Sequence, residues 1–196
     1  NTAIVLDSDG SLAGYYRKMH IPDDPGYYEK YYFTPGDTGF TPIKTSLGSL
    51  GVLICWDQWF PESARLMALA GADILIFPSS IGWDITDDEE ERQRQLEAWI
   101  TIQRSHSIAN NLPLISVNRV GHELDPSNQT SGIEFWGYSF ACDARGKVMT
   151  SCSHDSNESV IADIDMTESE QQRLVWPYFR DRRIDAYSEL TKRSID

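Results

Sequence analysis

The stretch Leu50-Gly51-Val52-Leu53-Ile54-Cys55-Trp56-Asp57-Gln58-Trp59-Phe60-Pro61-Glu62 decides how the rest of the chain is read. Its first half is a short apolar run of the kind that makes a buried strand, and the reading places that strand over Leu50 to Cys55. Proline suits the first turn of a helix, where its missing N–H is not needed. Pro61-Glu62 therefore opens a helix that carries Ala64, Leu66, Met67 and Leu69 towards a Gly71 stop. Asp73 to Phe77 is a further apolar strand. Strand, helix and strand in succession predict layered α/β architecture. Cys55 falls at the corner after the first strand, held at a sheet edge with backbone N–H groups free nearby, which is the geometry of a nucleophile elbow. Cysteine is also among the most buried residue types, so position alone leaves a structural thiol open.

Upstream, Thr2 to Asp7 and Leu12 to Arg17 flank the turn Ser8-Asp9-Gly10 and read as a hairpin. A chain that opens inside a core hairpin is expected to begin mid-fold, with preceding sequence absent. Turn signals at Pro22 to Gly26 and Pro35 to Asp37 bracket the aromatic run Tyr27 to Phe33, a long loop of the kind that carries function. Downstream, Asp87 to Glu91 place negative charge on the first turn of a helix, where it opposes the dipole favourably. Leu96, Trp99 and Ile100 continue that helix to about Asn110. Strands are expected at Pro113 to Asn118, Phe135 to Cys142, Lys147 to Cys152 and Ser159 to Ile164, with Asp143-Ala144-Arg145-Gly146 as a turn. Trp176, Tyr178, Phe179 and Tyr187 stand among mixed charges as a tail that packs against another surface. There is no internal repeat and no domain boundary, so residues 1–196 read as one domain with 174–196 as its tail.

Composition narrows the function classes. Thirty acidic against seventeen basic residues give a formal charge of −13. That balance argues against nucleic acid or anionic membrane as partner, since both are bound through clustered Lys and Arg, and mildly favours a cationic ligand. No run approaches the ~20 apolar residues of a membrane-spanning helix. Cys55, Cys142 and Cys152 form no metal-ligand spacing, so no metal site is expected. An odd cysteine count fits a reducing, cytoplasmic setting better than a disulfide framework.

A cysteine nucleophile needs a base and a donor for the oxyanion. Lys18, at the end of the second strand, could point over the sheet edge towards Cys55, or could be a solvated surface lysine. Glu29, inside the aromatic loop, is equally open on its own. His106 reads as a packed structural histidine.

Several long motifs occur together: Arg17-Lys18-Met19-His20-Ile21-Pro22, Tyr28 to Asp37, Gly51 to Asp57, Ser79-Ser80-Ile81-Gly82-Trp83-Asp84, Trp99 to His106, Asn118-Arg119-Val120-Gly121 and Phe179-Arg180-Asp181-Arg182-Arg183. In this order they resemble the nitrilase, or carbon–nitrogen hydrolase, superfamily over nearly the whole chain, and within it the N-carbamoylputrescine amidohydrolases. The resemblance implies a four-layer α-β-β-α sandwich, incomplete here at its N-terminus, and a Glu-Lys-Cys triad. It maps the nucleophile to Cys55, the lysine that stabilises the tetrahedral intermediate to Lys18, and a second glutamate that positions substrate or water to Glu29. The Trp56 N–H would help form the oxyanion hole. The family's base glutamate lies upstream of the motifs present, and no glutamate of this chain stands in its place.

The implied reaction converts N-carbamoylputrescine and water to putrescine, ammonia and carbon dioxide, with no metal or organic cofactor. A cationic ureido substrate calls for a carboxylate or an aromatic face at its far end, and Trp83, Asp84, Glu123 and Glu134 are candidates by residue type. The family also pairs through helices and C-terminal tails, which implies a homodimer or higher homo-oligomer with residues 174–196 on a partner subunit. Three alternatives stay open: an amidase or ureidopropionase of the same superfamily, a papain-like enzyme using His106 or His122, and a non-catalytic assembly module.

Overall fold

Asp9 and Gly10 make the first turn. The Asp9 carboxylate accepts from the Ser11 N–H, and Gly10 adopts φ +82°, which its missing Cβ permits. This turn joins β1 (Thr2–Leu6) to β2 (Leu12–Arg17) as an antiparallel hairpin with Ala3 opposite Tyr16. The chain is described here from a computed structural model that covers residues 1–127 and 130–195. After the hairpin come β3 (Ile43–Thr45), β4 (Gly48–Val52), α1 (Pro61–Leu69), β5 (Ile74–Ser79), β6 (Gly82–Asp84) and α2 (Glu89–Asn110). There follow β7 (Leu114–Asn118), β8 (Val120–Glu123), β9 (Ile133–Trp136), β10 (Phe140–Cys142), β11 (Val148–Ser151) and α3 (Met166–Val175).

A six-stranded sheet in the order β11-β10-β7-β5-β4-β3 forms the centre. β4, β5 and β7 run parallel, and antiparallel strands flank them on both sides. The parallel strands are buried, and their near-continuous apolar sequences fit that position. Helices α1 and α2 pack on each other and on this sheet. A three-stranded sheet, β6-β9-β8, lies beyond the ends of β5 and β7. The fold is mixed α/β, as expected.

Local chemistry sets the helix limits. Pro61 begins α1 with Phe60 as cap. The Asp88 carboxylate accepts from the Glu91 N–H at 2.9 Å to cap α2, and Asn111 ends it in the left-handed conformation at φ +50°. Trp99 is fully buried at the middle of α2, edge-on to Trp136 and Phe140, and its Nε1–H donates to Gln58 Oε1 at 2.8 Å. The core is thereby tied to the turn that follows β4.

Three expected strands take a different form. The run Leu50 to Cys55 ends as a strand at Val52, and Cys55 to Trp59 coils into a short 3-10 turn. Phe135 to Cys142 is not one strand. Gly137 and Tyr138, both at positive φ (+61° and +52°), break it into β9 and β10, which belong to different sheets. Ser159 to Ile164 forms no strand. Its residues are largely exposed and pair with no neighbour among the described residues, so strand propensity there has no ladder to join.

Asp57 holds the hairpin to the turn after β4. Its buried carboxylate accepts from Tyr16 Oη at 2.9 Å, the Ile54 N–H at 2.8 Å, the His20 N–H at 3.0 Å and His20 Nδ1 at 2.7 Å. Gly36 lies so close to β2 that a Cβ there would sit 2.1 Å from the Arg17 carbonyl oxygen, and its N–H donates to the Lys18 carbonyl at 2.8 Å. The aromatic loop is thus laid against the strand end that carries Lys18.

Two measurements test this framework. Trp99→Ala should cost about 3–5 kcal/mol of unfolding free energy in urea, since it opens a large cavity in a packed core. Asp57→Asn replaces an acceptor by an amide that faces several donors, and should lower stability by on the order of 3 kcal/mol in the same assay.

Candidate active site

Residues i and i+2 of a strand share a face. In β2 this rule buries Tyr16 and leaves Tyr15 and Arg17 exposed; carried one step beyond the strand, it buries Lys18. The Lys18 side chain is wholly inaccessible, and its Nζ donates to Glu29 Oε2 at 2.7 Å. Glu29 comes from the short 3-10 turn Glu29–Tyr31 in the aromatic loop and is itself mostly covered. A buried ammonium without such a partner would be very costly, so the pair accounts for how the loop can cover the lysine.

Cys55 has φ +47°, in the left-handed region that a non-glycine residue adopts only under constraint. Buried hydrogen bonds enforce it from both sides. Asp57 holds the Ile54 N–H before it. After it, Gln58 accepts from Ser79 Oγ at 3.1 Å and from Trp99, while its carbonyl accepts from His106 Nε2 at 2.8 Å. The loop after β5 closes the other side. Asn118 accepts from the Ile81 N–H at 3.0 Å and donates to the Ile81 and Gly137 carbonyls, which fixes Ser80 with its backbone N–H directed at the Cys55 sulfur.

Burial is the largest influence on the Cys55 thiol and pushes its pKa up. Lys18 and the Ser80 N–H pull it down, and the carboxylates of Glu29 and Asp57 add to the rise. Tyr27 belongs to the same group. Its hydroxyl accepts from the Gly82 N–H at 3.0 Å, and burial, with Cys55 and Glu29 nearby, pushes it up to about 12. A neutral phenol therefore stands beside the thiol and the ion pair.

The structure brings Cys55, Lys18 and Glu29 together. Trp56, next in sequence, has its indole half-buried against Trp59. The remaining candidates lie elsewhere. Trp83 is in the apolar core against Trp136, with its Nε1–H on the Arg92 carbonyl at 3.0 Å. Asp84 is turned to its own loop and accepts from the Thr86 N–H and hydroxyl. Glu123 pairs with Arg119 at the surface, and Glu134 with Arg92 at 3.2 Å. His106 gives its Nε2–H to Gln58 and is pushed down in pKa by burial; His122 gives its Nε2–H to the Ser131 carbonyl. Neither histidine is joined to the thiol. Among the described residues no group of three or more His, Cys, Asp or Glu is arranged to hold a metal ion, and no helix is long and apolar enough to cross a membrane.

Tyr27, Ser80, Asp57, Gln58 and Asn118 also build the site, although sequence reasoning gave them no role there. Asp57 carried a readable signal: a carboxylate in an apolar strand-to-helix corner needs donors, and Tyr16 and His20 flank Lys18 at two-residue spacing. Tyr27 and Ser80 carried none, because loop residues meet only through the fold.

The model of the carbon-nitrogen hydrolase family matches residues 1–174. An N-carbamoylputrescine amidase of Solanum lycopersicum is 42% identical over 97% of this chain and 63% of its own length. A citrullinase of Francisella tularensis is 40% identical over 98% of this chain and 65% of its own. The crystal structure of a carbon-nitrogen hydrolase from Helicobacter pylori G27 superposes with a TM-score of 0.98 at 58% identity, over all of this chain and 67% of that one. The chain thus spans a little under two thirds of the length of the curated relatives it matches. The chain belongs to the carbon–nitrogen hydrolase family of the nitrilase superfamily.

Proposed function

We infer that this chain carries the nucleophile half of a hydrolase for terminal ureido groups, with N-carbamoylputrescine as its substrate. The observation that supports it most directly is the buried Lys18–Glu29 pair acting on a thiol at a constrained, left-handed turn. Cys55 sulfur adds to the ureido carbon, and the carbonyl oxygen becomes an oxyanion. The Lys18 ammonium and the Trp56 N–H stabilise that charge in a site closed to water, where such interactions are strongest. The bond to the terminal nitrogen breaks and ammonia leaves with a proton. Water then adds to the S-carbamoyl enzyme, releases the thiol, and leaves a carbamate that falls apart to amine and carbon dioxide. Glu29 holds Lys18 and orients the water. No residue of this chain is assigned as the base.

Citrulline is a second reading, because a citrullinase is nearly as similar as the N-carbamoylputrescine amidases. Both compounds end in the same ureido group and differ only at the far end. Trp83, Asp84, Glu123 and Glu134 are engaged by Trp136, Thr86, Arg119 and Arg92 respectively, so the groups that would meet a cationic far end are left unassigned. The same proposal includes a reducing, cytoplasmic setting, which keeps Cys55 a thiol. It also includes assembly into a homo-oligomer through residues 174–196, where Leu174, Val175 and Trp176 stand exposed.

Ammonia release is the decisive assay, run on the full-length protein with N-carbamoylputrescine, citrulline, β-ureidopropionate, carbamoyl amino acids and short amides. N-carbamoylputrescine should give the highest kcat/KM, and Cys55→Ala should abolish turnover. Lys18→Gln should lower kcat by a factor of about 100 or more, the scale of losing one oxyanion donor. Activity that survives Lys18→Gln would exclude the mechanism.

The thiol offers an independent check. Burial raises the Cys55 pKa and Lys18 opposes that rise. Alkylation of Cys55 by iodoacetamide, followed by mass spectrometry of its peptide, should therefore accelerate as pH climbs into the alkaline range. In Lys18→Gln the profile should move to still higher pH.

A further inference from the structure

The reaction above gives no task to Tyr27, although its hydroxyl stands beside Cys55 and Glu29. The residue is held at both ends. Its backbone N–H donates to the Asp24 carbonyl at 2.8 Å, and its carbonyl accepts from the Glu29 N–H at 2.7 Å. The hydroxyl accepts from the Gly82 N–H at 3.0 Å. Gly82 is a fixed point: it opens β6 opposite Phe135 of β9, so close that a Cβ would lie 2.2 Å from the Glu134 carbonyl oxygen. The phenol is therefore set between the loop that carries Glu29 and the three-stranded sheet.

This placement leaves hydrogen-bonding capacity unspent. A tyrosine oxygen can accept as well as donate. Gly82 takes one lone pair, and the O–H proton has no acceptor among the described residues. Burial, with Cys55 and Glu29 nearby, keeps the phenol neutral, so it serves as neither a base nor a ready acid. What remains to it is a hydrogen bond made without a change of charge. The carboxylate of Glu29 draws the O–H proton to its own side, which leaves the second lone pair of Oη for an incoming N–H.

A plain amide and a ureido group share a carbonyl and a terminal nitrogen. They differ by the inner N–H that only the ureido group has. Lys18, the Trp56 N–H and Glu29 are already engaged with the shared part of the reaction. Tyr27 is thus a surplus acceptor, and the inner N–H is the surplus donor. An N–H covered without an acceptor is penalised, so an acceptor placed for it favours the group that carries it.

We propose that Tyr27 is a specificity-determining residue, whose hydroxyl, held by Gly82, accepts from the inner N–H of a ureido substrate and so selects it over a plain amide. The proposal rests on the ureido reading of the site and names the group that would recognise that feature.

The full-length protein and its Tyr27→Phe variant are compared on N-carbamoylputrescine and on 6-aminohexanamide, in which CH2 replaces the inner N–H. Ammonia release gives kcat/KM for each. Tyr27→Phe should lower kcat/KM for N-carbamoylputrescine about tenfold more than for 6-aminohexanamide, the scale of one hydrogen bond. Disturbance of the loop through the lost Gly82 contact falls on both substrates alike, so the ratio isolates the hydroxyl. If the variant turns over neither compound, calorimetry in a Cys55→Ala background reads the same ratio as binding. If citrulline proves the better substrate, it and its own CH2 analogue form the pair. Equal loss on both substrates, or loss on neither, would overturn the proposal and leave the ureido reading standing. Wild-type protein that releases ammonia from 6-aminohexanamide but from neither N-carbamoylputrescine nor citrulline would remove the ureido reading, and the proposal with it.

Discussion

A lysine ammonium that water cannot reach is the constraint around which the site is organised. Desolvating a charge is expensive, and a buried ion pair that loses one member is penalised by about 3–5 kcal/mol. Lys18 is affordable only because Glu29 meets it at 2.7 Å, and Glu29 arrives only because the aromatic loop folds back over the end of β2. Gly36 permits that return by running against the Arg17 carbonyl with no side chain in the way. The aromatic loop thus covers the buried ammonium. Its dense turn residues set its path, and Glu29 fixes it over Lys18.

The second requirement is a thiol held in a conformation that cysteine does not favour. A strained backbone persists where its neighbours over-determine it. Three buried polar side chains do so here. Asp57 fixes the residue before Cys55 and, through Tyr16 and His20, both neighbours of Lys18 at two-residue spacing. Gln58 joins the turn to α2 and β5, and Asn118 holds the loop that presents Ser80. Each is a polar group placed where an apolar one would pack more cheaply. Taken together, their bonds fix the separation of ammonium and thiol more narrowly than hydrophobic packing, which tolerates sliding, could do.

What the sequence made legible follows the range of the forces involved. The β4-α1-β5 unit was readable because local periodicity and a helix-opening proline act within a few residues. The extent of α2 was readable for the same reason, from acidic residues in its first turn and apolar residues at helical spacing as far as about Asn110. β9 and β10 were not separable, since the break rests on Gly137 and Tyr138 adopting positive φ between two sheets, a tertiary demand. The apolar letters of Ser159 to Ile164 promised a strand, but a ladder needs a neighbour as well as propensity. In the site, Cys55, Lys18 and Glu29 were singled out through long motifs that resemble a family, and the fold brings the three together. Trp83 was a fair candidate by type, yet its large ring is packed against Trp136 in the core. Residue type told what a side chain could bind, while its burial was fixed by contacts far away in sequence.

The balance of influences on Cys55 bears on how the reaction starts. If Lys18 dominated, the resting residue would be a thiolate waiting for substrate. Burial outweighs Lys18 and the Ser80 N–H, and the carboxylates of Glu29 and Asp57 push the same way, so the thiol's pKa stands above its ordinary value. In the proposed reaction, attack is then coupled to removal of a proton by a base within reach of the sulfur, and a neutral Tyr27 cannot take it. In that proposal Lys18 stabilises negative charge as it moves from sulfur to the carbonyl oxygen, a contribution realised mainly in the transition state, where it would raise kcat.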